Sequence, residues 1–285
     1  MTNNYLERDY MSADGLRLYY RVYGAHRADR PAVICLPGLT RNCRDFARLA
    51  AHLSDGFHVF TPDLRGRGRS QHDLQWQRYQ PLTYVADIVA LIAHEQLESV
   101  ALIGTSLGGL VAMLLAATPA VTIKAIVLND IGPEVESAAM ARIGAYVGNT
   151  PVAPSWDAAI ARAQSAYGLA FPDFTAADWR YLTECTCREA EDGAIITDYD
   201  PHIGTAVRAA PSGAAPDLWP LFGMLRSIPT LAIRGGLSDV LSAATFARMR
   251  AAKSDLQQLE IANRGHAPTL DEPTAVAAID QLLRG

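Results

Sequence analysis

Little in this chain is extreme, and each thing it lacks closes off a class of function. Across 285 residues there are four cysteines, Cys35, Cys43, Cys185 and Cys187. Their spacing is that of neither a zinc site nor a disulfide framework, so they read as reduced thiols and no metal is expected. No apolar run approaches the ~20 residues of a membrane span. The start, Met1 to Asp9, is polar and acidic, without the apolar centre of a secretory signal, so a cytoplasmic location is expected. Charge of one sign is scarce as well. A formal net charge of -5 with 19% charged residues gives no basic surface for nucleic acid or anionic membrane. A dinucleotide fingerprint and a phosphate loop are both missing, since the glycines of Asp63-Leu64-Arg65-Gly66-Arg67-Gly68-Arg69-Ser70 lack the Lys-Ser/Thr of a nucleotide-binding turn. No cofactor is expected. A small molecule is the expected partner, and a homo-oligomer stays open.

What is present is a strand-helix rhythm. Hydrophobic residues make up 49% of the chain, enough for a sizeable core. An alternating pair of runs around Ala13-Asp14-Gly15 predicts an antiparallel hairpin. Largely apolar runs follow at 31–36, 57–62, 99–103, 123–130 and 229–235, the pattern of parallel strands covered on both faces, and a last strand is read at 256–261. Between them lie helical stretches, one from Cys43 to Leu53 and one capped at Thr83. The rhythm breaks from about 131 to 228. There, joints rich in proline and aromatics, among them Phe171-Pro172-Asp173-Phe174, Pro211 and Trp219-Pro220, separate helices with no buried strand. This predicts an all-helical insertion over the carboxyl ends of the strands.

The most informative stretch is Leu102-Ile103-Gly104-Thr105-Ser106-Leu107-Gly108-Gly109-Leu110-Val111. Strand, Gly-x-Ser-x-Gly and helix make a nucleophile elbow, in which the glycines let strand and helix approach while the serine projects from a strained turn. At the helix N-terminus the Leu107 N–H and the helix dipole favour a developing oxyanion. Leu39, after Gly38 at the end of the first central strand, is the natural second donor. Asp239 and His266 each follow a later strand, giving the order serine, acid, histidine. Asp130 is a rival acid at the end of its own strand. Asp63 and Arg65 are read as pairing locally. The histidines at 26, 52, 58, 72 and 94 are assigned surface or packing roles, and His202 is placed on the inner face of the insertion.

Leu36-Pro37-Gly38-Leu39, the 63–70 turn, Gly104 to Gly109, Ser238-Asp239 and Gly265-His266 together resemble the α/β-hydrolase fold superfamily. The resemblance implies a mostly parallel sheet flanked by helices, with a core over 1–131 and 228–285 and a helical cap over 132–227. It also implies a serine hydrolase in which Ser106 attacks an acyl carbonyl, His266 serves as base, Asp239 orients it, and the Leu39 and Leu107 amides hold the oxyanion. Serine at the elbow argues against dehalogenase and epoxide hydrolase chemistry, which use aspartate there. Many relatives have His-Gly where this chain has Pro37-Gly38. Ester hydrolysis is the leading expectation. Arg41 and Asn42, beside the oxyanion glycine, are candidate substrate-binding residues and keep open a carbon-carbon hydrolase or lactonase of aromatic catabolism. For the first of these, Ala267 is a departure, since such enzymes usually carry an aromatic residue after the histidine. The non-enzyme alternative is a catalytically silent binding scaffold, against which the intact serine, acid and histidine argue.

Overall fold

A computed structural model describes residues 4–209 and 217–285; Pro211 of the joints named above lies outside the described residues. The chain opens with a hairpin, β1 (Leu6–Met11) and β2 (Arg17–Tyr23), turning at Gly15 with φ of 86°. The central strands are β3 (Ala32–Leu36), β4 (Val59–Pro62), β5 (Ser99–Thr105) and β6 (Thr122–Asn129). The insertion carries β7 (Cys187–Glu189) and β8 (Ile195–Thr197), and after it come β9 (Thr230–Gly235) and β10 (Gln257–Ile261). The eight-stranded sheet has the order β1-β2-β4-β3-β5-β6-β9-β10, antiparallel at the β1–β2 and β2–β4 pairs and parallel elsewhere.

Strand periodicity divides the core into two layers. Ile34, Leu36, Leu102, Ile126 and Leu128 face one side, with helices α2 (Pro81–His94) and α3 (Leu107–Ala116). Val33, Cys35, Ala101, Ile103 and Val127 face the other, under α1 (Ala47–Leu53) and the terminal helix α10 (Pro273–Arg284). Successive residues of a strand point to opposite faces. A stretch of strand buried on both faces must therefore be apolar, as β3 and the middles of β5 and β6 are.

The segment between β6 and β9 contains α4 (Ser137–Tyr146), α5 (Trp156–Tyr167), α6 (Ala176–Thr186), α7 (His202–Ala209) and α8 (Trp219–Gly223). It is not all-helical. Cys187–Glu189 (β7) and Ile195–Thr197 (β8) form a small antiparallel hairpin that buries Cys187 and Ile195, turning at Gly193 with φ of 82°. Asp192-Gly193 is the turn signal, too closely flanked for three-residue strands to show as alternation. Helix α9 (Ala243–Ala252) joins β9 to β10.

Two helix starts also differ from expectation. The 43–53 stretch begins as a 3-10 turn, Cys43–Phe46, capped by the Asn42 side chain, before α1. Helix α2 starts at Pro81 rather than Thr83, because proline at the first helical position sacrifices no hydrogen bond there.

Candidate active site

The elbow follows from steric exclusion. A side chain on Gly104 would put its Cβ 2.4 Å from the Gly108 carbonyl carbon and oxygen, and one on Gly108 would lie 2.0 Å from Leu36 O. Only glycine lets β5, α3 and β3 meet this closely. Ser106 sits between them with φ of 53°, a conformation costly for a non-glycine residue and held here by its neighbours. Its N–H donates to Asn129 O at 3.0 Å.

Three residues from distant parts of the chain meet at the carboxyl edge of the sheet. His266, in the loop after β10, has Nε2 2.8 Å from Ser106 Oγ and Nδ1 2.7 Å from Asp130 Oδ2. The carboxylate can only accept, so Nδ1 carries the ring proton and Nε2 of the neutral ring is left to accept from the serine hydroxyl. Asp130, directly after β6, is fully buried and adopts φ of 54°. Its Oδ1 accepts the Gly235 N–H at 2.8 Å, and its Oδ2 also accepts the Ser238 hydroxyl at 2.5 Å.

The expected acid, Asp239, is elsewhere. Its side chain is 52% exposed and forms a bidentate pair with Arg142 of α4, with Nε to Oδ2 at 2.8 Å and Nη2 to Oδ1 at 2.9 Å. The carboxylate on His266 is Asp130. The β9 loop contributes the preceding residue, Ser238, whose hydroxyl holds Asp130 while accepting the Val240 and Leu241 N–H groups at 3.2 Å. Asn129 adds a second support missed from sequence: its buried amide donates to Thr105 Oγ1 at 3.0 Å and Pro268 O at 2.9 Å, tying the elbow to the histidine loop.

Leu39 lies in a turn closed by the Arg41 N–H on Gly38 O at 3.1 Å, beside Ser106. The N–H groups of Leu39 and Leu107 have no hydrogen-bond acceptor among the described residues. Arg41 lines the same cavity. Its Nε and Nη2 are taken by Asp45 at 2.7 Å each and Nη1 by the Thr186 hydroxyl. Burial is the largest influence on this guanidinium and would lower its pKa, but the charge and hydrogen bonds of Asp45, together with Cys185 and Tyr167, push it up, so Arg41 stays cationic. Asn42 does not face the cavity. It is fully buried, donates to Cys185 O at 2.9 Å and caps the 3-10 turn through Oδ1.

The cavity over Ser106 has a volume of about 210 Å³. Core loops supply Gly38, Thr40, Arg41 and His266; the insertion supplies Ile143, Tyr146, Tyr167, Phe171, Phe174 and Tyr181. Trp179 packs behind the two phenylalanines, its ring centroid 5.2 Å from that of Phe174. Trp219 is spent on Glu134, and His202 is 65% exposed on the Asp200 carboxylate, away from the cavity. Arg65 does not pair with Asp63; it binds Asp14, Asp73 and Asp87. Asp63 instead accepts the backbone N–H groups of Cys43 and Arg69. Burial nonetheless pushes the Asp63 carboxyl up.

The family model described as Alpha/beta hydrolase family matches residues 33–279. The chain belongs to the alpha/beta hydrolase family. Among curated alpha/beta hydrolase relatives, 3-hydroxybutyrate-oligomer hydrolase of Cupriavidus necator is 34% identical, covering 94% of this chain and 93% of its own. N-formylmaleamate deformylase of Pseudomonas putida is 30% identical over 92% of this chain and 90% of its own. Of solved structures, an alpha/beta hydrolase from Novosphingobium aromaticivorans superimposes with a TM-score of 0.94 at 43% identity, covering 100% of this chain and 99% of that one. This chain is accordingly an alpha/beta hydrolase enzyme. Among the described residues no helix is long and apolar enough to cross a membrane.

Proposed function

We propose that the protein is a serine esterase acting on short esters of hydroxy acids through a Ser106-His266-Asp130 triad. The observation that carries the reading is one imidazole hydrogen-bonded at both nitrogens, 2.8 Å to Ser106 and 2.7 Å to Asp130. In this mechanism Ser106 Oγ attacks the ester carbonyl as His266 Nε2 takes its proton. Asp130 stabilises the imidazolium and holds the ring. The Leu39 and Leu107 N–H groups receive the oxyanion at the N-terminus of α3. His266 returns the proton to the leaving alcohol, then activates water to release the acid. Residues 132–227 act as a cap on the core formed by 1–131 and 228–285.

Two features support the substrate class. The cavity is small, and its wall mixes aromatic rings with phenol, threonine and guanidinium groups, which suits a short oxygen-rich acyl chain better than a long alkyl one. A relative aligned over nearly the whole chain is named for hydrolysing 3-hydroxybutyrate oligomers. A second reading, cleavage of an N-acyl bond, draws on the deformylase relative.

The test is a panel assay on wild type and Ser106→Ala with 3-hydroxybutyrate dimer and trimer, p-nitrophenyl esters of rising acyl length, N-formyl and N-acetyl amides, lactones and a ring-cleavage dienoate. Turnover of the hydroxybutyrate esters that vanishes in Ser106→Ala is expected. Turnover confined to amides would select the second reading. Turnover confined to lactones or the dienoate, or none at all by folded protein, would contradict both.

A further inference from the structure

The 63–70 turn takes no part in the proposed chemistry, yet one of its side chains reaches the loop that carries Leu39. Arg67 is fully buried. Its Nε donates to Leu39 O at 2.9 Å, Nη1 to Arg65 O at 2.6 Å and Nη2 to the Tyr84 hydroxyl at 3.0 Å. The guanidinium also lies over the Tyr84 ring, 4.7 Å from its centroid. Arg65, two residues earlier, is neutralised by three carboxylates, whereas no carboxylate among the described residues lies within 4.0 Å of Arg67. Burying a cation without a counterion is costly, and filling space does not require it. Its partners are instead two backbone carbonyls, a phenol and a ring face.

The contact falls where the oxyanion donor is set. Gly38 O is fixed by the Arg41 N–H at 3.1 Å. A peptide unit is planar and trans, so fixing that carbonyl also aims the Leu39 N–H in the same unit, in the opposite direction. Arg67 holds the next peptide unit through Leu39 O. With both flanking planes anchored, the φ and ψ of Leu39 have little freedom. Arg67 cannot retreat, because its turn is gripped from the insertion: Gly68 N–H donates to Asp198 O at 3.0 Å, Asp200 N–H donates to Gly66 O at 2.7 Å, and Arg67 pairs with Tyr199.

We propose that Arg67 is a positioning residue for the oxyanion site, locking the Leu39 peptide with its N–H toward Ser106 and adding behind it a positive charge that no carboxylate contacts. This rests on the acyl-transfer reading of the site. Interactions aimed at the oxyanion act on the transition state more than on bound substrate, so their loss lowers kcat more than it raises KM.

The experiment compares wild type, Arg67→Met, Tyr84→Phe and Ser106→Ala with p-nitrophenyl butyrate as substrate and butylboronic acid as inhibitor. The boron accepts a lone pair of Ser106 Oγ, the hydroxyl proton passes to His266, and the resulting tetrahedral anion resembles the intermediate. Folded Arg67→Met is expected to lose about tenfold or more in kcat, less than the ~10²–10³ of deleting a direct donor. KM should stay within about threefold and boronic acid affinity should fall by the same factor as kcat. An Arg67→Met that keeps wild-type kcat and boronic acid affinity overturns the proposal. If Arg67→Met does not fold, Tyr84→Phe decides. It removes only the hydroxyl holding Nη2, so a smaller parallel loss in kcat and boronic acid affinity supports the proposal, and no loss, or a rise in KM alone, overturns it. Wild type binding the boronic acid no better than Ser106→Ala would instead overturn the acyl-transfer reading, and this inference with it.

Discussion

Asp130 and His266, 136 residues apart in the chain, are joined by a 2.7 Å hydrogen bond from Nδ1 to Oδ2, and Asp130 holds that position with a left-handed backbone. The carboxylate on His266 therefore comes from the end of β6. The β9 loop supplies a hydroxyl to support it and sends its own carboxylate, Asp239, out to Arg142.

The two carboxylates are thus predicted to behave oppositely. Asp130→Asn should lower kcat by roughly 10³–10⁴-fold, because an amide neither stabilises the imidazolium nor selects the right tautomer. Asp239→Asn should stay within about threefold, losing only an exposed ion pair. Steady-state kinetics on both variants, with circular dichroism to verify folding, checks this.

Ser238→Ala removes one of the donors on Asp130 but leaves the Gly235 N–H at 2.8 Å. A fall in kcat of about ten- to a hundredfold with little change in KM is expected, since losing one hydrogen bond to a charged group costs about 1.5–3 kcal/mol. A kcat equal to wild type would show that Asp130 needs no such support.

The elbow was legible because its requirement is steric: Gly104, Ser106 and Gly108 have their spacing from the approach of β5 to α3, and a single sequence displays that spacing. The inner parallel strands were legible for a similar reason, being largely apolar on both faces. The acid was not. Asp130 and Asp239 both follow sheet strands, and which one reaches His266 depends on how the β6 and β9 ends curl, which residue order does not encode. Asn42 and the Arg65 network were missed for a related reason. Asn42 spends its amide on Cys185 and Arg65 its charge on Asp14, Asp73 and Asp87, partners brought near only by the fold.

Glycine substitutions separate the elbow from ordinary helix. Gly108→Ala should destabilise by at least about 3 kcal/mol, because its Cβ would meet Leu36 O at 2.0 Å and the backbone must move. Gly144→Ala, inside α4 with nothing within 4 Å, should stabilise by about 0.5–1 kcal/mol through helix propensity alone. Urea denaturation of the two variants reads both signs.

Acid stability should depend on Asp14. Its hydrogen bonds from Arg65 hold the carboxyl well below the ordinary 3.8. Below that value the unfolded chain takes up the proton more readily than the folded one. The stabilisation is thus fully present above about pH 4 and is lost as the pH falls toward the folded value. Asp14→Asn should be less stable at pH 7, with a gap to wild type that narrows below pH 4. Asp87, on the same guanidinium, shifts upward because burial dominates, the opposite direction to Asp14, and the difference between wild type and Asp14→Asn is followed by thermal melting across pH. A gap independent of pH would contradict the assignment.

The most direct test of the central claim is intact-mass spectrometry of the protein quenched in acid during turnover of a p-nitrophenyl ester. The account predicts an adduct of the acyl mass on wild type, located to the peptide containing Ser106, absent from Ser106→Ala and longer-lived in Asp130→Asn. Sustained turnover with no acyl adduct at any quench time, and undiminished in Ser106→Ala, would contradict it.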